Sequence, residues 1–209
     1  MSLNLAVFII VVIFVVGWFA VGTHYNVRKG HDAMRWLQDG LPLIGEKTKL
    51  RWLGSSVVEL KIQQAKPPFR QADVLVVLEP RDVAPIWAAA RLRGRRDLFI
   101  FRGILRSQPR QELELLDTTA WSTHGRERQL KKDNWTPVPV SPPLVAYAPQ
   151  QSAAASELAA AAAVDGCPPV RLAVHRTEPN FEVQWRLDHL RRRSARNVFQ
   201  TLQRIAERL

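Results

Sequence analysis

Hydrophobic and polar positions follow three rhythms along this chain. From Leu3 to Val21 the side chains are apolar or aromatic apart from Asn4 and Gly17, and no charged residue lies between Ser2 and Thr23. As a helix these nineteen residues rise about 28 Å, close to the roughly 30 Å of bilayer hydrocarbon. The β-branched run Ile9-Ile10-Val11-Val12-Ile13 is a poor helix in water. In lipid it must close its own hydrogen bonds, and a lone segment does so only as a helix. The pattern predicts a transmembrane anchor over residues 1–25. Trp18, Tyr25, Arg28, Lys29 and Trp36 are the candidate membrane-interface residues, aromatic or basic as such positions require.

The competing reading is a cleaved signal peptide, since Ala20-Val21-Gly22 has the small-x-small form of a cleavage site. The residues before Leu3 carry no Lys or Arg, and the apolar run exceeds the 7 to 15 residues usual for a signal core, so an uncleaved anchor is favoured. Arg28, Lys29, Arg35, Lys47, Lys49 and Arg51 all follow the span. The positive-inside bias then places the bulk of the chain in the cytoplasm, as a single-pass protein of the cell membrane.

Residues 26–50 change to a helical rhythm. Val27, Met34, Leu37 and Leu41 recur on one face, and Gly40 followed by Pro42 is a stop signal. This juxtamembrane element suits a helix lying on the bilayer, continuing the span or packing on the following domain.

Residues 51–209 turn to strand periodicity and form the predicted domain. Val58, Leu60 and Ile62 alternate with Glu59, Lys61 and Gln63; Val74 to Leu78 is apolar on both faces; Leu98–Leu105 and Glu112–Leu116 read as two further strands. A short helix over Val83, Ile86, Trp87 and Ala90 ends at Gly94. Five prolines between Thr118 and Gln150 suggest an extended or mobile excursion over about 118–150. The alanine-rich run Ser152–Val164 reads as a helix. Two strands centred on Leu172 and Val183 follow, and Val198, Phe199, Leu202, Ile205, Ala206 and Leu209 form the stripe of a last helix. The element order predicts an α+β domain of sheet and helix layers. From Val74 to Val170 the succession matches a ferredoxin-like split βαβ with an extra strand at each end. Two facing ββα units are the alternative.

Charge sharpens this picture. The 209 residues carry a formal charge of +11, with 30 Lys and Arg against 19 Asp and Glu, and arginine supplies 23 of the 30. Arg91, Arg93, Arg95 and Arg96 surround Gly94 with Asp97 as their only near counter-charge, and Arg191, Arg192, Arg193 and Arg196 open the last helix. These eight are the candidate anion- or partner-binding residues. Basic groups at a helix end complement its dipole, so the first cluster has a structural reading. At a helix start that reading fails, which makes the second cluster the more informative one.

Motifs for catalysis are missing. The ten glycines form no phosphate-binding loop, the five histidines fall into no metal-ligand spacing, and there is no G-x-S-x-G. Cys167 is the only cysteine, so no intrachain disulfide forms, and Pro168 and Pro169 deny it a helix N-terminus. Glu112 and Glu114 alternate with leucines and read as a solvent-facing pair. No catalytic residue, cofactor or metal is assigned. The expectation is a non-catalytic cytoplasmic interaction module on a membrane anchor, an accessory subunit or scaffold that docks on another membrane or cytoplasmic protein. The alternative is binding of anionic lipid or nucleic acid through the arginine clusters, with Phe99 and Phe101 stacking bases if they face outward.

Overall fold

The computed structural model describes residues 3–149 and 154–209, so Met1 and Ser2 of the anchor and Gln150 to Ala153, where the alanine-rich helix was expected to start, lie outside it. The expected anchor and the juxtamembrane residues as far as Gln38 form one helix, α1 (Leu3–Gln38), 36 residues long and apolar enough to cross a membrane. Its first half lies bare, with Phe8 64% and Ile10 66% exposed. From Gly22 onward a stripe is buried: Gly22, Asn26, Gly30, Ala33, Met34 and Leu37. The spacing is that of one helix face, so the juxtamembrane residues both continue the helix and pack on the domain. Gly40 stops α1 as expected, and Pro42 sits in the first turn of α2 (Leu41–Ile44).

The chain continues through β1 (Thr48–Trp52), β2 (Val57–Ile62), β3 (Phe69–Val77), α3 (Ala84–Leu92), β4 (Leu98–Leu105) and β5 (Leu113–Asp117). Then come α4 (His124–Lys132), β6 (Thr136–Pro139), β7 (Leu144–Ala148), α5 (Ala154–Ala161), β8 (Arg171–Val174), β9 (Phe181–Arg186), α6 (Leu187–Leu190) and α7 (Ala195–Glu207). All nine strands among the described residues join one antiparallel sheet in the order β1-β2-β3-β4-β9-β8-β5-β7-β6. The mixed helix-and-sheet class stands. The ferredoxin-like succession does not appear, because a split βαβ needs parallel strands joined by a crossover, whereas β3 and β4 are antiparallel neighbours from Phe69↔Leu105 to Val77↔Leu98. Thus α3 is an excursion from a hairpin.

The register divides the sheet into two faces. One row runs Leu60, Val74, Phe101, Val183, Leu172, Leu115, Ala146 across seven strands, all buried. This is the core face, covered by the second half of α1, α5 and α7. Phe99 and Phe101 lie in it fully buried, which removes them as base-stacking residues. The last helix follows its stripe: Ser194 caps α7 by accepting from the Arg196 N–H at 3.2 Å, and Val198, Phe199, Leu202, Ile205 and Ala206 are buried.

The proline-rich segment is not an extended excursion: it holds α4 and the β6–β7 hairpin, which extends the sheet past β5. Two of its prolines, Pro137 and Pro139, belong to an edge strand, where a missing N–H costs least. Pro137 lies in the outermost strand β6, and the opposite edge, β1, presents exposed Lys49 and Arg51; both devices discourage a further strand.

Candidate functional site

Two networks of buried charge stand out, one on each side of the sheet. The first lies where α1 enters the domain. Asp97, immediately before β4, accepts from Lys29 Nζ at 2.6 Å, from both Arg81 terminal nitrogens at 3.0 and 2.9 Å, and from the Glu79 backbone N–H at 2.6 Å. Burial opposes its charge, but the hydrogen bonds from Arg81 and Lys29 outweigh it and hold the carboxyl below the usual range. Lys29 reaches Asp188 of α6 as well, at 2.7 Å. The Asn26 amide donates to the Glu79 carbonyl at 3.0 Å, and Trp18 Nε1 to the Arg81 carbonyl at 2.9 Å.

Glu79, also buried, holds α3 in place. Its carboxylate accepts from Trp87 Nε1 at 2.7 Å and from Arg91 at 2.9 Å. Helix α3 itself has no buried residue. It hangs from the domain by these two bonds and by the Trp87 ring, which packs against Trp18 at 6.0 Å.

The second network is on the outer face. Glu114 of β5 is fully buried and accepts from Arg126 Nε of α4 at 2.8 Å, Arg171 Nε of β8 at 3.0 Å and His175 Nε2 at 2.8 Å. Burial raises its pKa, but the His175, Arg126 and Arg171 hydrogen bonds prevail and bring it down to about 2. Arg171 continues to Glu182 at 2.9 Å, and Arg102 reaches the other Glu182 oxygen at 2.6 Å. The expectation that Glu112 and Glu114 face solvent together is therefore corrected for Glu114: α4 packs over it, with Leu130 on Leu116 and Tyr147. A carboxylate held ionised by three donors has no proton to give and little basicity to offer. The network is a cross-strand charge ladder.

The other candidates find separate places. Trp18 and Tyr25 lie beside α3 and Arg81, with the Arg81 guanidinium 5.2 Å from the centre of the Tyr25 ring, and Arg28 is exposed. Lys29 and Trp36 leave the membrane-interface set: Lys29 is in the Asp97 network, while Trp36 packs edge-on to Phe99 and donates to the Arg193 carbonyl at 2.9 Å. Arg91 is taken by Glu79, and Arg96 donates to the Arg91 and Arg95 carbonyls, closing the end of α3. Arg95 and Arg96 also border a cleft of about 250 Å³ with Arg186, Trp121, Leu98 and Val170. Arg93, Arg192 and Arg196 are exposed and Arg191 is half-buried.

Arg193 satisfies the carbonyls of His189 and Asp165 at 2.8 and 3.3 Å, so the residues before α7 terminate α6, and basic charge there complements a helix end. The two clusters also differ in height. The first hangs on Glu79, level with Asn26, whereas Arg193 lies level with Trp36, about 22 Å along α1 from the end of the apolar run at Val21.

Sequence reasoning saw Asp97 only as the counter-charge of the first arginine cluster and missed Glu79, which stands two residues before Arg81 with Asp82 close by and carries no signal of its own. Among the described residues no group of His, Cys, Asp or Glu is arranged to hold a metal ion. Cys167 is buried, which pushes its thiol pKa up, away from nucleophilic use. No protein-family model matches the chain, and no curated protein matches it.

Proposed function

We propose that the chain is a single-pass protein of the cell membrane whose C-terminal domain lies in the cytoplasm and serves as a non-catalytic docking module, an accessory subunit or scaffold of a membrane assembly. The observation that carries this reading is the continuity of α1. Its bare apolar half suits lipid, and its other half is built into the core, so the domain is fixed to the span without a flexible linker. The basic residues that follow the apolar run favour the cytoplasmic side. The docking surface is the outer face of β2, β3 and β4. Lys61 and Arg102 are exposed there and Leu75 is half-buried, while the Asp73 Oδ1 atom is buried without a hydrogen-bond partner. An unsatisfied carboxylate oxygen beside apolar surface favours a partner that brings a donor.

Protease sites added at either end of the full chain in intact cells test the topology: external cleavage at the N-terminus supports it, and external cleavage at the C-terminus overturns it. A photo-crosslinking residue at Leu75 tests the docking face, with one at the exposed Thr177 as control. A discrete adduct from position 75 alone is expected. Purification as a monomer with no adduct from native membranes rejects the docking role.

The second reading, anionic recognition, rests on the cleft edged by Arg95, Arg96 and Arg186. It takes anionic lipid in preference to nucleic acid, because the α3 cluster lies close to the membrane end of α1. The Arg191–Arg196 cluster, some 22 Å along the helix, is more than two Debye lengths away at physiological salt and gains little from the leaflet. Charge reversal of Arg93 and Arg95 should reduce enrichment of anionic lipid around the reconstituted chain, and unchanged enrichment removes this reading.

A further inference from the structure

Helix α3 is apolar almost all round. Pro85, Ile86, Ala88, Ala89 and Leu92 are exposed, with Ile86 at 55% and Leu92 at 89%, and together they form its outward face without a single charge. The inward side is held by the hydrogen bonds of Trp87 and Arg91 to Glu79 and by the contact of the Trp87 ring with Trp18. A nine-residue helix with nothing in the core gains little from folding against the domain, and in water its outward face would leave a leucine and an isoleucine uncovered.

Its position supplies the cover. Trp87 packs on Trp18, which lies about 4.5 Å inside the end of the apolar run at Val21. The groove between the two helices is lined by Trp18, Val21, Gly22, Tyr25, Arg81 and Trp87, almost entirely through apolar atoms. A Cβ on Gly22 would run into the Arg81 backbone, so the connection leading to α3 is pressed directly against α1. Through Trp87, α3 thus sits against the part of α1 that carries the exposed apolar side chains of the span, such as Val21. Arg93, Arg95 and Arg96 follow at once, where an interfacial helix passes from acyl chains to headgroups.

We infer that α3 is a second membrane contact: it lies in the bilayer interface beside the span, its Ile86–Leu92 face among acyl chains, and with α1 it fixes the domain against rotation and tilt. This rests on α1 spanning the bilayer, and the occupant is lipid because α3 is seated through Trp87 beside a helix surface that itself requires lipid.

Single cysteines at Ile86, Leu92, Phe8 and Thr177, each carrying an environment-sensitive fluorophore, test this in the full chain reconstituted in phosphatidylcholine bilayers with nitroxide quenchers at shallow or deep acyl positions. Cys167 is buried, and the unsubstituted chain gives the background labelling. Thr177 is exposed in the β8–β9 turn, at the opposite end of the sheet from Leu98 and Arg186. Labels at 86 and 92 should emit in the blue and lose most of their intensity to the shallow quencher, while the label at 177 is unaffected. If 86 and 92 are unquenched while Phe8 responds to the deep quencher, the span stands and the α3 contact is refuted. Water-like emission then means an exposed helix, and blue unquenched emission means a protein cover. If the Phe8 label is also unquenched, the span fails and this inference falls with it.

Discussion

Asp97 and Glu114 are both buried carboxylates ringed by cationic donors, and both are held ionised, yet their partners come from different kinds of place. Around Asp97 the donors arrive from α1 and from the segment between β3 and α3, and Lys29 also donates to Asp188 of α6, which ties that helix to the network. No strand ladder brings these segments together. Around Glu114 most of the geometry is set before any charge acts, because β5 and β8 are paired from Leu113↔Val174 to Leu116↔Arg171. The same chemistry therefore joins separate bodies in one network and reinforces an existing sheet in the other.

The sharpest way to break this comparison is to remove each acid in turn. Asp97→Ala leaves Lys29 and Arg81 facing each other in a half-dry site, and stripping one partner from a buried pair costs about 3–5 kcal/mol. The loss should show in denaturant unfolding of the detergent-solubilised chain. Protease cleavage around Arg81 to Arg96 should also appear well before the sheet melts. Glu114→Ala should cost a comparable amount but without that separate early event. A single cooperative transition in both variants would mean that the two networks do the same work.

Acid titration separates them next. The folded pKa of Glu114 is about 2 against an ordinary 4.5. Its contribution is therefore complete above about pH 4.5 and is lost as pH falls from there toward 2. The shift corresponds to about 3 kcal/mol. Asp97 is also lowered, so its share disappears in the same direction below the ordinary carboxylate range. Glu114→Gln should flatten the stability curve between pH 4.5 and 2 while leaving part of the acid sensitivity to Asp97. An unchanged slope would show that Glu114 is not the group being titrated.

Why one region was legible in the sequence and the other was not follows from the same contrast. The strands β2, β4, β8 and β9 and the stripe of α7 repeat at intervals that local geometry dictates, and they stand close to where their periodicity placed them. Strand order is set by pairing between distant segments, so a strand-helix-strand succession from Val74 to Leu105 was open to the wrong topology. No local clue gave this away: Val83, Ile86, Trp87 and Ala90 fall on one face as in a crossover helix, yet Val83 and Ile86 are exposed. Asp97 was visible only as the counter-charge to four arginines, since three of its donors, on Lys29, Arg81 and Glu79, come from 16 to 68 residues away. In the proline-rich segment, Leu144, Ala146 and Ala148 do alternate inward, but Pro137, Pro142 and Pro143 masked a hairpin that tolerates them at the sheet edge.

A glycine pair tests the α1 side of the comparison more finely. At Gly22 a Cβ meets the Arg81 backbone, which has no flexible end to yield, whereas at Gly17 nothing lies within 4 Å. Gly22→Ala should therefore cost about 1–3 kcal/mol by overpacking, reduced by the roughly 1 kcal/mol that alanine gains over glycine in a helix. Gly17→Ala has only the gain. Thermal melts in detergent should move in opposite directions, and equal shifts would mean that α1 is not seated on the β3–α3 connection.

The smallest effect belongs to the cluster the sequence ranked highest. Arg192 and Arg196 are exposed side chains, and truncating both to alanine should change stability by less than about 0.5 kcal/mol. Arg193→Ala differs, because its guanidinium caps His189 at the end of α6 and reaches Asp165. It should cost about 1 kcal/mol, the ordinary worth of such hydrogen bonds. Since α6 carries Asp188, the second partner of Lys29, this loss should add less than independently to that of Asp97→Ala. Strict additivity in the double variant would place Arg193 outside the α1 network and confine the cluster to the neighbourhood of α7.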